Sequence, residues 1–343
     1  MPHVIRHPCT FAPALWLAAA LGMAWALGLF AGWLDPTGAV KLLPVTALAV
    51  AFHRLLQAIG ANRPAQRAAA TLALPLVAFD ALLGGPNALQ AAACVTAVAM
   101  AVERRHAAMF AWWAIALAFA AQALLLAPFF LALAIRHRVP VLWLALPAVS
   151  LMARLPGGLP DLAETATSNA PNIWSLVIAF APEQAAALLA LALAAALGVA
   201  AAYVARMQSV ATDRAGLVGL AALAVLLAAG LLPHAQARDF LLPAVLTFAL
   251  AIARGTRGSL TLVTLVQLGV IAAMAAGLGA GIELAAAGAL CLIAATWIAT
   301  QPLIAPHAND NRDGSHAIPL PHGLRGTLSF DMMPAPAVRP RGE

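Results

Sequence analysis

Charged side chains are scarce in this sequence. Asp, Glu, Lys and Arg make up 9% of its 343 residues, against about 25% in a soluble domain. So few charges cannot cover a water-facing surface, and a soluble globular fold is excluded. Cysteine occurs only three times. Cys9, Cys94 and Cys291 stand far apart, two of them within apolar runs, which excludes both a disulfide framework and a cysteine metal cluster. The apolar runs lack the strict alternation of a lipid-facing barrel strand. No internal repeat stands out at any obvious period.

Hydrocarbon is what the sequence has in abundance. Hydrophobic residues reach 63% and the mean hydropathy is +0.91. Runs rich in Ala, Leu and Val recur from residue 12 to residue 301, and a membrane-spanning helix needs about 20 such residues. The expected fold is all-α: a polytopic integral membrane protein of about 12 transmembrane or half-membrane helices. Residues 1–301 would form the membrane domain. From Pro302 to Glu343 the composition changes abruptly, with seven prolines and no long apolar run, and a disordered cytoplasmic tail is expected there.

The net charge of +6 and the sequence pI of about 10.5 do not point to nucleic acid. The arginines form no stripe with interleaved aromatics. They fall in short clusters between apolar runs: Arg6; Arg54, Arg63 and Arg67; Arg104 and Arg105; Arg136 and Arg138; Arg206 and Arg214; Arg254 and Arg257. The positive-inside rule places all of these clusters, and both termini, on the cytoplasmic side of an inner membrane. Segments then fall near 12–34 and 40–58, 68–83 and 86–102, 107–121 and 123–135, 139–153, 183–205, 215–233 and 240–253, and 259–278 and 282–301. The pair 107–135 allows about 14 residues per leg, or about 21 Å at 1.5 Å per residue. A broken hairpin with Gln122 at its tip is expected.

Two outer stretches carry the chemistry. In the loop from Arg154 to Pro182, Ser168-Asn169-Ala170-Pro171-Asn172-Ile173-Trp174 combines two amides that can bind sugar hydroxyls with an indole face that can stack on a sugar ring. The same residues equally describe a turn feeding an interfacial helix with a belt tryptophan. The second stretch, from Leu231 to Pro243, carries Arg238 on the outer side against the charge bias. A guanidinium there suits a lipid-linked phosphate; the plain alternatives are an ion pair with Asp239 or a snorkelling side chain.

These stretches resemble the bacterial mannosyltransferase-like proteins related to the second GPI mannosyltransferase, within the multi-spanning GT-C superfamily. Members carry L-N-A-P-N-[IL]-[YW], matched here by Ser168 to Trp174, and later H-E-R-[YF]-F, matched by Gln236-Ala237-Arg238-Asp239-Phe240. A family W-G-Q-x-D corresponds to Leu83-Gly84-Gly85-Pro86-Asn87, and F-K-x-Q-[AS] to Phe119-Ala120-Ala121-Gln122-Ala123. The order and spacing of the four stretches hold from about Lys41 to Thr300. The resemblance implies transfer of a hexosyl group, mannosyl in the family, from a polyprenyl-phosphate sugar to an extracytoplasmic acceptor. It implies that Arg238 meets the donor phosphate, while Gln122, Asn169, Asn172 and Trp174 line the sugar cavity. The long acidic first outer loop of the family is missing. Asp35, the one carboxylate in the short connection that replaces it, is the expected general base, with a divalent cation as a possible assistant and no metal ligands assigned. Asn87 stands where the family has an acid, Ala120 where it has a lysine, and Gln236-Ala237 where it has His-Glu.

The leading expectation is therefore a GT-C-like membrane glycosyltransferase whose partners are the lipid bilayer and a polyprenyl-phosphate-linked sugar. A non-catalytic lipid-binding or complex-forming relative is the alternative. A secondary transporter is the third class, disfavoured because no inverted repeat and no clear midplane charge are evident.

Overall fold

The computed structural model describes residues 15–21, 36–61, 63–77, 87–153, 172–174, 176, 185–232, 235–276 and 282–304. Asp35, Asn169 and the tail beyond Ile304 lie outside the described residues. Everything described is helix or connection, and there is no strand among the described residues. After a helical stretch at 15–21 come α1 (Pro36–Ile59), α2 (Pro64–Val77), α3 (Asn87–Val102), α4 (His106–Phe119), α5 (Ala127–Arg136), α6 (Ala145–Met152), α7 (Ala185–Met207), α8 (Arg214–Leu231), α9 (Leu241–Arg254), α10 (Arg257–Ala275) and α11 (Ile282–Ile304). Short 3-10 helices at Ala121–Leu126, Val141–Leu144 and Ala237–Phe240 lead into α5, α6 and α9. Three described helices are long and apolar enough to cross a membrane: Arg214–Leu231, Arg257–Ala275 and Glu283–Gln301.

The helices follow the apolar runs closely, with two departures. The segment expected at 139–153 is helical over 141–152 only, and 12 residues at about 1.5 Å each fall well short of a 30 Å hydrocarbon layer. The last helix continues two residues past Pro302 before it ends at Ile304.

The hairpin at 107–135 is broken where its length required. Helix α4 stops at Phe119, Ala120 is extended (φ −157°, ψ 143°), and Gln122 sits in the 3-10 turn that follows. The Trp113 indole fixes this break by donating to the Ala123 carbonyl at 2.9 Å. Trp113 also packs against Phe130 with ring centres 5.0 Å apart, so the two legs are held together by aromatic contact.

Helix contacts elsewhere include close approach at a small residue and aromatic stacking. A Cβ at Gly269 in α10 would lie 2.7 Å from Leu292 Cγ in α11, so only glycine permits that approach. Phe52 of α1 stacks on Phe248 of α9 at 5.6 Å.

The described arginines of the basic clusters share one end of the bundle, where several also close helix ends. Arg136 donates to the carbonyls of Met207 and Val210 at 3.2 and 2.7 Å, Arg206 to Leu303 at 2.7 Å and Arg214 to Ala58 at 3.4 Å. The last carbonyls of a helix have no partner within it and carry the negative end of its dipole, which is why cations serve there. Glu103 and Asp213, the acids expected at this end, pair with Arg54, Arg105 and Arg254.

Candidate functional site

At the opposite end three chain segments enclose a small polar cavity. Asn87 opens α3 and Gln90 follows one turn later; Gln122 comes from the break between α4 and α5; Arg238 comes from the 3-10 turn before α9. Cys94 and Leu125 complete its apolar side. The volume is about 20 Å³, room for one water.

Arg238 is exposed, and among the described residues its side chain forms no ion pair or hydrogen bond. Its neighbour Asp239 is committed elsewhere: the Oδ2 atom accepts the Gln236 backbone N–H at 2.7 Å in a reciprocal capping box. The ion pair weighed from sequence is therefore absent. A local cap takes the carboxylate, and the guanidinium stays available.

Asn172 and Trp174 lie at the end of α8. Asn172 is 3% exposed and Trp174 8%, and both bind the end of α8. The Trp174 indole donates to the Leu231 carbonyl at 2.9 Å and the Asn172 amide to the Leu232 carbonyl at 3.0 Å. The Asn172 Oδ1 atom also accepts the Trp174 backbone N–H at 3.1 Å. These bonds satisfy carbonyls that the helix leaves open. The two side chains are not among the residues lining the cavity.

A much larger apolar groove of about 930 Å³ lies beside the cavity. Leu124, Leu131 and Ile135 form one wall, and Leu193, Leu197 and Val204 of α7 the other. Ala196 and Ala200 open space between them, and Leu125 lines both groove and cavity. From Leu193 to Val204 the α7 wall runs about 17 Å at 1.5 Å per residue. Sequence reasoning missed the groove, because alanine on an apolar helix gives no contrast with its surroundings.

Among the described residues no group of three His, Cys, Asp or Glu side chains gathers to hold a metal. No family model matches the chain, and no curated protein matches it significantly.

Proposed function

We propose that this chain is a multi-pass inner-membrane protein of GT-C type that binds a polyprenyl-phosphate-linked sugar and transfers the hexosyl group to an extracytoplasmic acceptor. Both termini face the cytoplasm in this reading. The observation that carries it is convergence. Asn87, Gln122 and Arg238 come from three stretches picked out by resemblance, and all three line one cavity. Asn172 and Trp174, from the fourth stretch, bind the carbonyls of Leu232 and Leu231, a few residues before Arg238 in the chain. Arg238 supplies two-point contact to the phosphate, Gln122 and Asn87 supply amide donors and acceptors to sugar hydroxyls, and the adjoining groove takes the hydrocarbon chain. Its volume lies in the usual range for ligand sites, about 300–1,000 Å³.

One observation favours the non-catalytic alternative. Asp239 is the one carboxylate lining the described cavity, and it is held in a cap. Transfer therefore depends on Asp35 as the base. Transfer of radiolabelled sugar from polyprenyl-phosphate hexose, measured in proteoliposomes, separates the two. An enzyme loses turnover in Asp35→Asn by on the order of 10²–10⁴. A lipid-binding relative shows no transfer in the wild type but still retains the lipid.

A further inference from the structure

A second basic site lies at the arginine-rich end, in two loops that the reading above leaves unused. The first, Glu103 to Arg105, joins α3 to α4. The second, His137 to Pro140, follows α5. They meet through His106 and His137, whose ring centres are 5.0 Å apart.

Both loops close their helices in the same unusual way. Arg104 (φ 60°) follows α3 and Arg138 (φ 50°) follows α5, each in the left-handed region. The bonds Arg105 N to Met100 O and Val139 N to Ala134 O, both 2.9 Å, complete the closing turns. Glycine is the usual residue at that position, and α1 and α9 use it, as Gly60 and Gly255. Holding an arginine there is unfavourable for its backbone. Here it happens twice, in two loops that touch.

The charge in this corner is not neutralised from within the bundle. Arg104 and Arg138 are exposed and, among the described residues, have no ion pair or side-chain hydrogen bond. Glu103 is engaged by Arg54 and Arg105 at 3.7 and 3.8 Å. Arg136 is spent on the Met207 and Val210 carbonyls. His106 Nδ1 is buried without a hydrogen-bond partner. The first turn of α4 receives no side-chain cap from Arg105. Burial and then Arg104 hold His106 below its ordinary pKa, and burial, His106, Arg136 and Arg104 do the same to His137. A bound anion would offset the unpaired charge of Arg104 and Arg138 and the repulsion that Arg104 and Arg136 exert on the histidine rings.

We propose that these two loops bind a phosphate group, with Arg104 and Arg138 supplying its charge partners and His106 and His137 donating from their rings. Planar guanidinium groups match phosphate oxygens in pairs. The phosphate belongs to an anionic lipid headgroup or to a soluble phosphate compound, and two experimental arms tell these apart.

The full chain, carrying Arg238→Ala to silence the opposite end, is placed in phosphatidylcholine nanodiscs and titrated calorimetrically with inorganic phosphate. In parallel, native mass spectrometry counts phosphatidylglycerol retained from mixed nanodiscs. The comparison is the double variant Arg104→Gly/Arg138→Gly. Glycine suits both backbone positions, so the helix ends persist and a folding defect does not confuse the result. The expected outcome is binding in at least one arm, weakened about ten-fold or more in the double variant. Phosphate binding alone assigns a soluble ligand, and phosphatidylglycerol retention assigns a lipid. Equal behaviour of parent and variant in both arms, or no binding in either, overturns the proposal. Because Arg238 is already absent, its phosphate role stands or falls separately.

Discussion

Trp174 donates its indole N–H to the carbonyl of Leu231 at 2.9 Å, across 57 residues of sequence. With the Asn172 amide on Leu232, it ties residues 172–174 to the end of α8. Trp174, singled out in the sequence for its indole face, is thus bound through its ring N–H to a helix end.

Trp174→Phe keeps the buried ring and removes one donor from a buried carbonyl. The expected loss is about 1–3 kcal/mol, read as a lower melting temperature in detergent. Asn172→Ala should cost a similar amount. Both variants should also weaken lipid-phosphate binding at temperatures where they remain folded, since the end of α8, which precedes Arg238 in the chain, loses a side-chain bond. Unchanged melting in both would remove the clamp from the account.

Ala200 of α7 lines the groove and is only half-buried. Ala200→Phe fills the space between α7 and α5 with little strain, because the ring points into open volume. Binding of a polyprenyl-phosphate lipid should drop about ten-fold or more, while binding of a short water-soluble phosphate analogue at Arg238 should not change. An equal fall for both ligands would mean that the substitution had disturbed the polar cavity instead.

Topology is testable in intact cells. In a chain whose three native cysteines are replaced, Ala166→Cys in the outer loop should react with an impermeant thiol reagent. Ala211→Cys, an exposed position before α8, should stay unlabelled until the cells are opened. The reverse pattern would place Arg238 in the cytoplasm and remove the extracytoplasmic reaction.

Acid should weaken the arginine-rich end. His106 and His137 both have folded-state pKa values below the ordinary 6.5, so the unfolded chain binds the more protons as pH falls through that value. Their contribution is present above about pH 6.5 and is lost below it. Melting temperature should decline on acidification below that pH, and His106→Phe/His137→Phe should flatten the decline. A wild type and variant that decline in parallel would assign the effect to other groups.

Much of this was legible in the sequence because hydropathy and length are enough to place helices in an apolar chain. Segments 86–102 and 107–121 coincide with α3 and α4 to within two residues. Counting residues per leg located the break at Gln122. Arg238 stood out because, with Lys41 and Arg154, it falls on the expected outer side against the charge bias. Side-chain bonds to distant carbonyls left no such trace. Nothing in the sequence spacing pairs Trp174 with Leu231, or Arg136 with Val210, because a carbonyl has no residue identity to read. The basic clusters were legible as orientation signals, yet several also close helix ends, as Arg206 does at Leu303.

The most direct test is binding of a polyprenyl-phosphate sugar to the purified protein in nanodiscs, compared among wild type, Arg238→Ala and Arg238→Lys. Saturable binding by the wild type is expected, with a loss of about ten-fold or more in Arg238→Ala. A clear loss is also expected in Arg238→Lys, because an ammonium cannot make the planar two-point contact. Binding by Arg238→Ala at wild-type strength, with normal abundance and melting temperature, would contradict the account.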